Sequence, residues 1–346
     1  MKGKRTVLLT FFAAAALIGA LVDAAVYLRT QLNTPDSDLA SPVIVEIPHG
    51  SRTRDIVGLL QEKRVIRDQY VALAYLFGSG LRHKLQAGEY LFDHPMTPVE
   101  VLTKIANGNV YLHKFTVPEG LTLADTAGKW EEEGFGPAES FRKAAENSTA
   151  LIHDLDPNAT SLEGYLFPET YSFPAHTPAK QAVEAMVTRF RTMIQKLEKE
   201  VPSERWPLDL RGTVILASIV ESEAAKEDER PVVASVYLNR VSRKMLLQCD
   251  PTVIYALEQA DKYRGKLILA DLKFPSPYNT YVTPGLPAGP IMNPGYPSLR
   301  AAVQPASTNY LYFVRTVDGR HTFSENFAAH NKAVAAYRVL QKRAAQ

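Results

Sequence analysis

The sequence predicts an α+β protein tethered at its N-terminus. Three observations carry that reading: an apolar segment long enough to cross a membrane, a strand–turn–helix pattern that occurs twice, and a mainly helical C-terminal half that carries one hairpin signal before its last helix. The 346 residues allow two or three domains, at roughly 100–200 residues each. Hydrophobic residues at 46% and charged residues at 22% exclude wholesale disorder. Lys+Arg 39 against Asp+Glu 37 leaves a net charge of +2, which gives no electrostatic footprint for nucleic acid. Cys249 is the single cysteine, so an intramolecular disulfide and a cysteine-built metal cluster are both excluded.

Residues 7–28 are apolar except for Thr10 and Asp23, and they follow Lys2, Lys4 and Arg5. About 20 apolar residues suffice to cross the hydrocarbon core. The basic residues ahead of the segment place the N-terminus in the cytoplasm and the body beyond the cell (inner) membrane, in the extracytoplasmic or periplasmic space. The competing reading is a cleaved signal peptide, but Val22-Asp23-Ala24 is a poor cleavage site and the apolar run exceeds a usual signal core. Residues 1–29 are thus read as cytoplasmic tip and anchor. Residues 30–42, with Pro35, Asp36, Ser37, Asp38 and Pro42, read as a linker.

The repeat occupies the region 43–150. Val45-Glu46-Ile47-Pro48-His49-Gly50 leads to Asp55 and Gly58; seventy residues on, Phe115-Thr116-Val117-Pro118-Glu119-Gly120 leads to Asp125 and Gly128. Each copy reads as an alternating strand, a Pro-x-Gly turn and an amphipathic helix. Such units recur in small glycan-binding modules, and equally in spacers that bind nothing. Residues 85–92 read as a further strand. Residues 97–106 read as a helix with Thr97 as N-cap and Pro98 at its first position.

Residues 151–346 form the second domain in this reading. Residues 178–200 are a charged amphipathic helix, 212–220 a helix buried all round, and 231–243 a further helix. Asp250 or Thr252 is expected to cap a helix over 253–259. Residues 274–305, rich in Pro, Gly, Asn and Tyr, read as a long ordered loop. Asp318-Gly319 marks a hairpin between 311–314 and 320–323, and 327–342 reads as a closing helix.

The run Ile215-Leu216-Ala217-Ser218-Ile219-Val220-Glu221-Ser222-Glu223 places carboxylates at the end of the buried helix. Burial raises a carboxyl pKa, which is what a general acid for glycosidic cleavage needs. Two residues along a helix lie about 200° apart, so Glu221 and Glu223 face nearly opposite ways. Glu221 follows Ala217 by four and Val214 by seven, which selects it as the inward residue. Glu223, among Ser222, Lys226 and Glu227, reads as solvated. Glu221 reads equally well as an ordinary helix-end charge turned outward. Gln248 and Asp250, and the aromatic and amide groups of Tyr278-Asn279-Thr280-Tyr281, suit a sugar cleft or a structural loop alike. No zinc-protease, serine-hydrolase, Walker or dinucleotide motif is present, and no metal or cofactor is expected.

Six segments together resemble the endolytic murein transglycosylase family, also called YceG-like or MltG. They are Leu162-Glu163-Gly164-Tyr165-Leu166-Phe167-Pro168-Glu169-Thr170-Tyr171; Ala217-Ser218-Ile219-Val220-Glu221; Ala234-Ser235-Val236-Tyr237-Leu238-Asn239-Arg240; Gln248-Cys249-Asp250-Pro251-Thr252-Val253-Ile254-Tyr255; Tyr278-Asn279-Thr280-Tyr281 with Gly285-Leu286-Pro287; and His321-Thr322-Phe323-Ser324. They follow the family's order. Cys249 stands where Thr is commoner and Ser222 where Lys is commoner. The resemblance implies LysM-like modules and a mainly helical, lysozyme-like catalytic domain. It implies a lyase that cuts peptidoglycan glycan strands internally, with peptidoglycan synthases as possible partners. It puts the catalytic glutamate on Glu221 and substrate contacts on Gln248, Asp250, Asn279, Tyr281, Glu163 and Tyr165. The rivals are a non-catalytic wall-binding protein and a two-carboxylate muramidase pairing Glu221 with Glu163, Glu169 or Asp250.

Overall fold

A computed structural model describes residues 2–35, 42–224 and 226–344. Helix α1 (Lys2–Asn33) contains a 25-residue stretch, Leu9–Asn33, long and apolar enough to cross a membrane. The helix runs four residues into the expected linker. Asp36, Ser37 and Asp38 of that linker lie outside the described residues.

The chain divides into two compact units. The smaller comprises residues 1–113 with 172–175. After α1 it holds β1 (Val43–Ile47), α2 (Thr53–Glu62), α3 (Gln69–Ser79), β2 (Gly88–Phe92) and α4 (Pro98–Ala106). Strands β1 and β2 pair antiparallel, with Val45 opposite Tyr90. Their inward residues Val45, Ile47, Tyr90 and Phe92 meet Ile56, Val57 and Leu60 of α2, Leu76 of α3 and Leu102 of α4 in one core. Helix α4 begins as its sequence dictates: Thr97 accepts from the Glu100 N–H, Glu100 accepts from the Thr97 N–H, and Pro98 occupies the first turn.

The larger unit comprises residues 114–171 and 176–346. The chain passes between the units inside β3 (Leu112–Thr116) and β4 (Thr170–Pro174), which pair with each other. Between these strands lie α5 (Leu123–Glu132) and α6 (Ala138–Glu146), so the element order β-α-α-β occurs twice. The matched residues of the repeat do matched work. Gly50 and Gly120 turn the chain at φ +80° and +82°, where a side chain would be strained. Asp55 and Asp125 accept from the N-cap N–H groups of Arg52 and Thr122.

The expected domain boundary near 150 differs from the observed one at 113/114. The physical reason is backbone pairing around Asn293. Gly120 donates to the Asn293 carbonyl, the Asn293 N–H and side-chain amide both donate to the Leu121 carbonyl, and Asn293 Oδ1 accepts from Gly164 and Leu166. The second repeat is thereby built into the larger unit.

That unit continues with α7 (Ala179–Glu200), α8 (Leu210–Glu223), α9 (Arg230–Ser242), α10 (Asp250–Glu258), α11 (Tyr296–Val303), the antiparallel hairpin β5 (Tyr312–Arg315) and β6 (His321–Ser324), and α12 (Phe327–Ala344). Helix α8 is capped by Asp209, which accepts from the Gly212 N–H at 2.7 Å, and every residue from Gly212 to Val220 is buried. Helices α9, α10 and α11 pack around it. Two sequence expectations are corrected. The long loop ends earlier, because Tyr296–Val303 is helical. Asp250 does not cap α10 but sits in its first turn, behind Cys249.

Candidate active site

The last turn of α8 presents its two carboxylates to different surroundings. Glu221 has a side chain only 6% exposed and lies 3.0 Å from the Arg230 guanidinium at the start of α9. Its second oxygen accepts from the Gly295 N–H, the N-cap of α11, at 2.9 Å. Arg230 Nε in turn donates to Ser298 Oγ. Glu221 therefore ties α8 to α9 and α11. Nearby, Glu119 lies 3.8 Å from Arg230, and burial together with the Glu221 carboxylate holds the Glu119 carboxyl above its ordinary range.

Glu223 points instead into a cleft of about 350 Å³. The expectation that it is solvated is corrected: its side chain lies in the wall of that cleft. Oε1 accepts from Tyr237 Oη and from Cys249 Sγ, each at 3.3 Å. Burial pushes the Glu223 carboxyl up from its ordinary value, and those two donors oppose the shift. Burial also raises the Cys249 thiol well above its usual value, which keeps it protonated and able to donate. The same condition makes it inert as a nucleophile.

The rest of the cleft is polar on one side and aromatic on the other. Gln248, Asp250 and Tyr281 form the polar side; Tyr312, Phe313, Phe327 and His330 form the aromatic side. Tyr281 donates to Asp250 Oδ1 at 2.6 Å. Gln248 sits at φ +52°, an uncommon conformation for a side-chain-bearing residue, held by its N–H on the Thr280 carbonyl. Cys249 N–H and Thr252 Oγ1 both bond Thr280 Oγ1, so α10 and the 278–283 loop are locked together beneath Gln248 and Asp250. Arg240 spans the floor. It donates to the carbonyls of Leu311, Leu246 and Leu247, and lies 5.0 Å from the Tyr312 ring centroid.

Of the residues expected to bind substrate, Gln248, Asp250 and Tyr281 come together with Glu223. Asn279, Glu163 and Tyr165 do not. Asn279 is fully buried, donating to the Leu272 and Phe274 carbonyls. Tyr165 donates to Asp156 Oδ2 in the core. Glu163 accepts from the Leu123 N–H and Tyr255 Oη, and burial raises its carboxyl to about 8. Glu169 is paired with Arg189. Among the residues the sequence left without a role, Tyr237 and Arg240 lie inside the segment 234–240 that carried the resemblance. The aromatic side comes from β5 and α12, more than sixty residues further on, and no local pattern marks it.

The sequence profile of the YceG-like family matches residues 45–336, so the chain belongs to that family. Its relatives include an endolytic murein transglycosylase of Bacillus subtilis, 31% identical over 326 residues, covering 90% of this chain and 89% of the relative. An endolytic murein transglycosylase of Streptococcus pneumoniae is 27% identical over 89% of this chain, which spans 61% of that longer protein. The crystal structure of a YceG-like protein from Listeria monocytogenes superposes with a TM-score of 0.57 at 32% identity, covering 84% of this chain and 99% of that one.

Proposed function

We propose that this chain is an endolytic murein transglycosylase, a lyase of peptidoglycan glycan strands, with Glu223 rather than Glu221 as its acid–base residue. The observation that carries the assignment is the placement of a raised carboxyl in the cleft shared by Gln248, Asp250 and Tyr281. Glu221 has both oxygens engaged by Arg230 and Gly295.

Oε1 of Glu223 takes both donors, which leaves Oε2 to carry the proton. The protonated carboxyl delivers it to the oxygen leaving between N-acetylmuramic acid and N-acetylglucosamine. The resulting carboxylate then accepts the proton of the muramic C6 hydroxyl as that oxygen attacks C1, closing a 1,6-anhydro ring. The nucleophile is part of the substrate, so one carboxyl serves both steps and no activated water is needed. Gln248, Asp250 and Tyr281 supply hydrogen bonds to the sugars, and the aromatic side supplies apolar faces for pyranose rings.

Helix α1 is read as a retained anchor with a cytoplasmic N-terminus, and residues 43–92, a β-α-α-β unit with its own core, as a LysM-like glycan-binding module. The helices around α8 are read as a lysozyme-like arrangement presenting the acid at the end of a buried helix.

A muramidase is the second reading, because Asp250 shares the cleft and is a candidate partner carboxylate. Mass spectrometry of purified strands digested by the chain separates them. 1,6-Anhydro ends are expected; new reducing ends in their place assign the second reading, and uncut strands refute both.

A further inference from the structure

We propose that the outward face of α3 rests on the anionic surface of the membrane that α1 spans. The inference stands on the smaller unit alone and rests on the reading of α1 as a retained span. The apolar run ends at Leu28. Gln31, further along α1, and Thr34, just past its end, border one crevice with Arg67, Asp68, Val71 and Pro98. At about 1.5 Å per residue those two positions stand roughly 4–9 Å beyond the run. The headgroup layer is about 5–8 Å deep on each side. The first turn of α3 is therefore at headgroup depth.

At that depth α3 shows the composition of an interfacial helix. Its inner face, Val71, Ala72 and Leu76, is buried in the core. Its outer face carries Tyr70, 74% exposed, and Phe77, 61% exposed, with Ala74 exposed between them. The spacing of four and then three residues puts all three on one stripe. An aromatic stripe open to water is costly for a soluble helix, and aromatic rings concentrate at headgroup level in membrane proteins.

The stripe is bracketed by exposed bases: Lys63, Arg64 and Arg67 before it, Arg82 and Lys84 after it. Arg82 lies 5.1 Å from the Phe77 ring centroid. Of the nearby acids, Asp68 is occupied in capping α3, accepting from Tyr70 and Val71, while Glu62 is exposed. The net collar is positive, which matches an anionic lipid surface. Each base near such a surface strengthens partitioning roughly fivefold, and long basic side chains reach headgroups while their stems stay on apolar ground.

The test uses the full chain in vesicles of phosphatidylglycerol and phosphatidylcholine, in phosphatidylcholine alone, and in detergent. A fluorophore is placed by Ala74→Cys; Cys249, 1% exposed, stays unlabelled. In anionic vesicles a headgroup nitroxide lipid is expected to quench the label, and aqueous iodide is expected to lose its access. Tyr70→Ser with Phe77→Ser restores iodide access. So does Lys63→Gln with Arg64→Gln and Arg82→Gln, on anionic vesicles only. Raising salt from about 0.1 to about 1 M, which shortens the screening length from about 10 to 3 Å, has the same lipid-selective effect. Equal iodide access in vesicles and detergent overturns the proposal. So does a disulfide-linked dimer through the position-74 thiols, which would make a second copy the occupant. Flotation of the chain with vesicles after an alkaline wash reports the anchor separately. A chain that floats with iodide-accessible label refutes the α3 contact alone; a chain that does not float refutes the anchor and the contact together.

Discussion

Glu221 and Glu223 sit two residues apart at the end of the same helix, yet one is a structural tie and the other faces an open cleft. Glu221 is enclosed by a guanidinium and a helix N-terminus, which hold both its oxygens. Glu223 has one oxygen held by a phenol and a thiol and lies beside polar and aromatic side chains with no strong cation bonded to it among the described residues. The difference teaches that depth of burial alone does not select the carboxyl proposed as the acid. Burial, an oxygen outside the two hydrogen bonds to Oε1, and room for a ligand select it together.

The largest expected effect comes from replacing Glu223, the proposed acid. Glu223→Gln keeps the shape and should lower release of 1,6-anhydro ends by roughly 10²–10⁴-fold or more, with folding unchanged by circular dichroism. Wild-type cleavage by that variant would break the comparison. The raised carboxyl also fixes the sign of the pH profile. The acid must be protonated, so kcat/KM falls as pH rises through the Glu223 pKa, and that limb lies above the ordinary glutamate range.

Glu221→Gln should show the opposite signature. Breaking a buried ion pair leaves Arg230 short of a partner and costs on the order of 3 kcal/mol of stability. Urea denaturation should show the lowered midpoint, while the folded variant keeps most of its cleavage rate at low temperature. A dead, fully stable Glu221→Gln would return the acid to that residue.

Glu163 supplies a control carboxyl that is buried and is not among the residues lining the Glu223 cleft. Its folded pKa of about 8 stands above the unfolded value of 4.5. Its contribution to stability is therefore complete below the unfolded value and is lost as pH rises toward 8. Glu163→Gln should remove that slope, raising the melting temperature relative to wild type at pH 8 and converging with it near pH 4.5. Identical pH dependence in both proteins would show that Glu163 does not titrate in this window.

The smallest effect belongs to Cys249→Thr. A hydroxyl is a stronger donor than a thiol, so it should favour the charged form of Glu223 and move the falling limb of kcat/KM to lower pH, by up to about one unit. An unmoved limb would show that the thiol contact does not tune the acid.

Much of this molecule was legible from local chemistry. A helix long and apolar enough to cross a membrane follows from one apolar run, the start of α4 from Thr97 and Pro98, the hairpin from Asp318-Gly319, and the paired strand–turn–helix starts from the Pro-x-Gly repeat. Each of these depends on residues a few positions apart, where hydrogen-bond geometry and periodicity act directly. The periodicity of α8 placed Glu221 inward correctly, but it implied a solvent side for Glu223. That inference needs an amphipathic helix, and α8 is buried on every face from Gly212 to Val220. With protein all around, the direction of a side chain says nothing about whether it meets a salt bridge or a cleft. Only tertiary packing decided that. Arg230 and Gly295 arrive on one side from α9 and α11, while Tyr237, Cys249 and the aromatic residues of β5 and α12 arrive on the other. The same cause moved Asn279, Tyr165 and Glu163 out of the site: an amide, a phenol and a carboxyl read alike in sequence, and each becomes structural once buried backbone or side-chain partners use up its hydrogen bonds.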